Sequence, residues 1–370
     1  MTWPVIQLTG GPAWLLSRAT RARRSFYYVR MTTQPQPAAV LPDYASRVLA
    51  VLAAGAVGDA AATRASAGQD ALGVTANTQL TLFVTDGLLE WIEWQNEGQM
   101  ADAAACVWLA CLRWHRTQTG QLPESAPPAP SRWIDERPEL RHRRSPDPAC
   151  LTGLADPGMG VPTDPKNPDA AGCGALVRSA PYGLIPSLPD THVASFARQG
   201  AVLTHGHPAA WTASAAFALM IASAMTGASL PDAVAHGQSW LRDQAEAPTD
   251  AVEAPATASL AAAVDAALAA ERAHPSDPAA ALTQAVCTLT ENAEDSASAD
   301  SASADSPAPA STASAALAAQ LLGAAHGMAV FGAEPGTSGG VDELSGHVPG
   351  WLAERDVVIE AARRWVAATS

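Results

Sequence analysis

Basic residues are scarce in this chain: 22 Lys and Arg face 36 Asp and Glu over 370 residues, a formal net charge of −14 with a pI near 5.0. Nucleic acids are gripped by clustered Lys and Arg that neutralise phosphates, so nucleic acid is excluded as the main partner. The acidity reads as a solubility device. Cysteine is scarce as well. The five residues Cys106, Cys111, Cys150, Cys173 and Cys287 are odd in number and show no Cys-x-x-Cys spacing. Neither a disulfide framework nor a zinc site is expected, and a reducing cytoplasm is the simplest location. Strand-like alternation is hard to find, which argues against a sheet protein. No run approaches the roughly 20 uninterrupted apolar residues of a membrane span, so a membrane partner is not expected.

What is present is alanine, with apolar residues recurring at three- and four-residue spacing almost throughout. A mean hydropathy of +0.03 sits beside 29 prolines and 27 glycines, the pattern of helices separated by punctuated loops. One all-α domain over residues 43–368 is expected, preceded by a disordered leader, 1–42. In that leader the arginines (Arg18, Arg21, Arg23, Arg24, Arg30) follow a short apolar piece where a signal peptide has them in front, and Met31 is an alternative start. A first helix is predicted from Asp43 to about Gly58 and Asp59, a second from about Thr78, and a third through ADAAACVWLACLRWHRTQTG. Residues 121–170 are proline-rich and predict a long ordered loop or surface wrap. EDSASADSASADSPAPAST repeats Asp-Ser-Ala-Ser-Ala, too little apolar surface to offset ordering, so a flexible segment is expected at about 290–312.

Along the chain stand AAGAVGDA, NTQLTLFVTDGLLE, CLRWHRTQTG, RRSPDPACLTGLADPGMGVP, AGCGALVRSAPYGL, LTHGHPAAW, AAQLLGAAHG and VPGWLAERDVVIEAA. This ordered set resembles the bacterial ADP-ribosylglycohydrolase family, of the dinitrogenase reductase-activating glycohydrolase type. The resemblance implies an all-α, compact orthogonal bundle of ten or more helices, with a cleft that in the family holds two Mg²⁺ ions. Hard Mg²⁺ needs oxygen ligands, and two such ions activate water and polarise the ribose as the glycosidic bond to ADP-ribose breaks.

The motifs that supply those ligands in the family are altered here. A Ser/Thr-Asp-Asp-Thr motif, aligned on TQLTLF, falls on Thr75, Ala76, Asn77 and Thr78, so both acids are absent. The second acid pair, aligned backwards from QLLGA, falls on Ala310 and Thr312, with Ser314 at the following threonine. A register through the serine-rich repeat puts Asp295, Ser296, Ala297 and Ser298 there and keeps one acid, with Asp300 and Asp305 as further candidates. The glutamate that often follows the first Gly-Asp motif is replaced by Ser66. The expectation is a non-hydrolysing family member without catalytic residues and without a dinuclear Mg²⁺ cofactor. It would bind ADP-ribose, a related nucleotide or a partner protein through the remnant cleft. The alternative is an active ADP-ribosyl glycohydrolase with a non-standard metal site.

Residues expected at the remnant cleft are Asp59, Thr75, Asn77 and Thr78, together with the Gly-rich turn Gly172, Cys173, Gly174 and Arg178, and the pair His205 and His207. A turn entering a helix can present backbone N–H groups to a phosphate, or can simply need small residues for packing. The Asp-Ser-Lys of the family ahead of that turn is Asp169-Ala170-Ala171 here, which thins the polar contacts. His205 and His207 are read as a cleft-edge turn before a helix in preference to a metal site. Asp59 is a remnant cleft carboxylate or a helix-end residue that satisfies local amides. The eleven tryptophans are read as core and loop anchors.

Overall fold

Alanine-rich segments with apolar residues every three or four positions satisfy their backbones as helices and bury one face of each. The computed structural model describes residues 41–67, 73–244, 254–299 and 309–370. Among these residues there are thirteen α-helices and no strand, only an isolated bridge between Val161 and Asp164. The helices are α1 (Tyr44–Ala67), α2 (Ala76–Asn96), α3 (Ala103–Thr119), α4 (Pro148–Ala155), α5 (Ala180–Gly183), α6 (Asp190–Ala201), α7 (Pro208–Met225), α8 (Leu230–Asp243), α9 (Pro255–Ala273), α10 (Pro278–Ala299), α11 (Pro309–His326), α12 (Val341–Leu344) and α13 (Arg355–Thr369). The leader up to residue 40, with Met31, lies outside the described residues, as do Asp300, Asp305 and the side chains of Ser66, Asp295 and Ala310.

The bundle is organised around α1 and α11, which pack on each other more extensively than any other pair. Small residues make this possible. A Cβ on Gly58 would stand 2.5 Å from the Ala315 carbonyl oxygen, and one on Gly323 would stand 2.7 Å from that of Ala50. Around this pair, α9 and α10 pack on α11, α13 packs on α1 and α2, and α7 joins α5, α6, α8 and α9. Arg47 ties two helix ends together: its guanidinium donates to the carbonyls of Ala224 (3.0 Å), near the end of α7, and Ala324 (2.6 Å), near the end of α11. A cation there complements both C-terminal dipole ends.

Element boundaries differ from the sequence expectations in instructive ways. Helix α1 does not stop at Gly58 and Asp59 but runs on to Ala67. One glycine costs a helix only about 1 kcal/mol against alanine, and alanines on both sides of it outweigh that. Helix α2 begins at Ala76, with Thr75 as N-cap accepting from the Asn77 amide at 3.1 Å. The proline-rich stretch 121–170 is not a plain loop: it holds two short 3₁₀ turns and α4. It is pinned by a buried ion network in which Asp86 of α2 takes Arg113 of α3 at 2.7 Å and Arg132 of the wrap at 2.9 Å. The segment expected to be flexible is helical at both ends, to Ala299 in α10 and from Pro309 in α11, and residues 300–308 lie outside the described residues.

Against the expectation of no spanning stretch, three helical segments among the described residues are long and apolar enough, by length and composition, to cross a membrane: Tyr44–Thr63, Pro208–Met225 and Thr312–Phe331, each at a mean hydropathy of 1.4. An uninterrupted-run criterion misses them because Ser, Thr and Gly break the runs without lowering the mean much. Between 78% and 83% of each segment is buried against other helices of the bundle.

The close approach of α1 and α11 yields a stability test. Gly323→Leu forces side-chain atoms into the Ala50 backbone and is expected to destabilise by about 1–3 kcal/mol. Gly350→Ala, with nothing within 4 Å of its Cβ position, is expected to change little. Urea denaturation midpoints check the pair, and equal midpoints for both variants would contradict the packing.

Candidate functional site

Two clusters collect the residues singled out from the sequence. The first is the seam where α1 meets α2, next to the stretch of α1 that packs on the start of α11. Asp59 projects from α1 with no solvent exposure, and three groups of the α2 start bond to it. The Thr75 amide donates to Asp59 Oδ2 at 2.8 Å, the Thr75 hydroxyl lies 2.8 Å from Oδ1, and the Thr78 hydroxyl donates to Oδ2 at 2.7 Å. Burial raises the Asp59 pKa, and these bonds offset part of that rise. Asp59 is thus more than a helix-end residue: it fixes the entry of α2 against α1.

The polar lip of α2 is tied down from other sides as well. Gln79 donates to the His142 carbonyl at 3.0 Å and accepts from Gln118 at 2.9 Å, while the Ala76 amide donates to the Arg144 carbonyl at 3.0 Å. A further carboxylate closes the seam from the C-terminal part of the chain. Glu354 is fully buried, accepts from the Val74 amide at 3.1 Å and pairs with Arg144 at 3.4 Å. Burial raises its pKa, and the neighbouring charge of Asp59 adds to the rise. Sequence reading gave Glu354 no role, although it lies within the VPGWLAERDVVIEAA motif, because its partner is 280 positions away.

The positions where metal-binding acids are expected can be tested against the donors present. Ala76 is buried and offers a methyl group, and Asn77 is half-buried and offers a neutral amide. On α11, Thr312 and Ser314 are buried, and Ser314 donates to the Ser259 carbonyl at 3.2 Å on α9. Of the two acids at the seam, Asp59 has both oxygens engaged by Thr75 and Thr78, and Glu354 is held by the Val74 amide and Arg144. A dinuclear Mg²⁺ centre requires several carboxylate oxygens, and among the described residues these positions do not supply them.

The second cluster surrounds the Gly-rich turn. Gly172, Cys173 and Gly174 pass directly over a hydrogen-bonded pair, His205 Nε2 and Asp147 Oδ2, 3.2 Å apart. A Cβ on Gly174 would stand 2.5 Å from Asp147 Oδ2 and 3.0 Å from His205 Cε1, so the packing reading of this turn has a definite cause. Arg178 is fully buried with its guanidinium directed inward, to the Gly174 carbonyl (2.7 Å), the Gly200 carbonyl (3.1 Å), the Thr204 hydroxyl (2.7 Å) and the Cys150 sulfur (3.4 Å). His205 is buried, and burial lowers its pKa; burial acts to raise that of Asp147, but the hydrogen bond and charge of His205, with the Ala149 amide and Arg178, bring it below its ordinary value. His207 does not join it: its Nδ1 caps α7 by accepting from the Ala209 amide at 3.2 Å.

Comparison with known proteins follows the fold. The family model described as ADP-ribosylglycohydrolase matches residues 41–334. A solved "ADP-ribosylglycohydrolase-related protein complex" aligns with a TM-score of 0.52 and 19% identity, covering 89% of this chain and 100% of that one, which is a likeness of fold. No match is found among curated proteins.

The seam carries a pH signature. A carboxylate with a raised folded pKa contributes stability that is present below its unfolded pKa and is lost as pH rises through the folded value. Replacing Asp59 by Asn removes that contribution. The stability of the unaltered protein relative to Asp59→Asn is therefore expected to increase as pH falls from neutral into the ordinary carboxylate range. Paired thermal melts across that window check it, and a difference independent of pH would contradict it.

Proposed function

Because the chain belongs to the ADP-ribosylglycohydrolase family, and because the acid positions of its expected metal cleft hold Ala76, Asn77 and Thr312, we propose that it is a non-hydrolysing member whose cleft has become a binding or scaffold surface. The observation that carries this reading is the state of Asp59. Asp59 spends its oxygens on Thr75 and Thr78, so it positions α2 in place of an ion. Loss of the Lewis acids that activate water and polarise the sugar removes several kcal/mol of transition-state stabilisation.

The family favours ADP-ribose or a related nucleotide as the ligand class, with a protein partner as the other occupant. Candidate contacts are the half-buried Thr75 and Asn77 at the lip of the seam, Gly172 on the turn and His207 before α7, the members of the proposed set that are not buried. Arg178 and His205 support that turn from beneath. A reducing cytoplasm is the proposed location, in keeping with five cysteines that are odd in number and lack Cys-x-x-Cys spacing.

Thermal melts with Mg²⁺, run beside an ADP-ribosyl hydrolysis assay, test the proposal. The expected outcome is no Mg²⁺-dependent rise in Tm and no release of ADP-ribose, with free ADP-ribose raising Tm through binding to the folded state. Mg²⁺-dependent turnover would overturn the proposal in favour of an active glycohydrolase with a non-standard metal site.

A further inference from the structure

The second cluster has a composition that packing alone does not require. Asp147, Cys150 and His205 each bring one donor atom to a common point, with all three atoms within 4.8 Å of one another. Asp147 and Cys150 are spaced i, i+3 across the N-terminus of α4, so the first helical turn puts them on one side. His205 arrives from the turn between α6 and α7, 58 positions from Asp147. That separation explains why a search for Cys-x-x-Cys spacing gave no zinc site.

We propose that Asp147, Cys150 and His205 form a zinc-binding site with one open coordination position. The sulfur, nitrogen and oxygen set suits a thiophilic ion of zinc type and is foreign to Mg²⁺, so this site stands apart from the α1–α2 seam. Each ligand is held by an outer partner, the arrangement that orients ligands at metal centres. Thr204 Oγ1 lies 2.8 Å from His205 Nδ1, the Ala149 amide donates to Asp147 Oδ1 at 2.8 Å, and Arg178 donates to Cys150 Sγ at 3.4 Å. The glycines of the overlying turn leave space that side chains would fill. Cys150 and His205 are buried, whereas the Asp147 side chain keeps 24% of its surface exposed and marks the entry side.

Coordination replaces the Cys150 S–H bond with a Zn–S bond, and the proton leaves to solvent. The imidazole stays neutral: its proton moves from Nε2 to Nδ1, where the Thr204 hydroxyl accepts it. The thiolate and the Asp147 carboxylate balance the two charges of the ion, and the Arg178 guanidinium leaves the site positive. The open position therefore takes water or a small anion.

Cobalt substitution reads this site directly. Co²⁺ added to the full, metal-free chain is expected to produce, at one equivalent, the near-ultraviolet thiolate-to-cobalt band and the visible bands of a four-coordinate ion, both bleached by Zn²⁺. Cys150→Ser is expected to abolish the thiolate band, and Cys287→Ser, which alters the exposed cysteine, to leave it unchanged. No thiolate band in the unaltered protein, or a band that survives Cys150→Ser, would overturn the proposal. If Cys150→Ser loses its helical circular dichroism, Asp147→Asn carries the test, since it keeps the shape and the bond from Ala149. A fall in Zn²⁺ affinity of at least about tenfold supports the site, and unchanged affinity overturns it.

Discussion

A carboxylate sealed inside a helical bundle has to find all its partners within the protein, and Asp59 is the group around which this one is arranged. Its oxygens collect the Thr75 amide and the hydroxyls of Thr75 and Thr78, which fixes where α2 starts and how it enters against α1. The same Thr75 hydroxyl accepts from the Asn77 amide, so one side chain both caps α2 and binds the carboxylate. With α2 set, Val74 and Arg144 are brought to Glu354, and the C-terminal part of the chain is drawn onto the seam. Leaving any of these buried groups without a partner costs about 1–3 kcal/mol or more, which makes the network cooperative in its placement.

The seam and the glycine contacts of α1 with α11 are two parts of one arrangement. Gly58 lies against the Ala315 backbone, so the residue immediately before Asp59 is one of the points where the two helices pack closely. Ala76 on α2 and Thr312 on α11 are both buried, so neither position presents a group to solvent.

Much of this was legible in the sequence, and the remainder was not for identifiable reasons. The three- and four-residue apolar spacing gives an all-α domain, and the ordered motifs give its family, both in agreement with the structure. Thr75, Thr78 and Asp59, singled out from separate segments, are joined by hydrogen bonds. Helix ends were less readable: Gly58 resembles a stop signal locally, and only the facing α11 shows that it is a contact point inside a continuing helix. Arg178 has the sequence profile of an anion-binding residue, yet its donors turn inward to Gly174, Gly200, Thr204 and Cys150. Glu354, Asp147 and Cys150 act with partners far away in the chain, a kind of information that spacing within one segment does not carry.

The account stands on the claim that both halves of the metal cleft have been lost, and rebuilding one half tests that claim most directly. Ala76→Asp with Asn77→Asp restores the first acid pair at a buried helix start next to Asp59. Without ions the added carboxylates repel one another and raise each other's pKa. Isothermal calorimetry with Mg²⁺, combined with an ADP-ribosyl hydrolysis assay on this double variant, is the measurement. The account predicts no saturable Mg²⁺ binding and no turnover. Mg²⁺-dependent hydrolysis by the double variant would contradict it, and would make Asp295, Asp300 or Asp305 the first candidates for an intact second half.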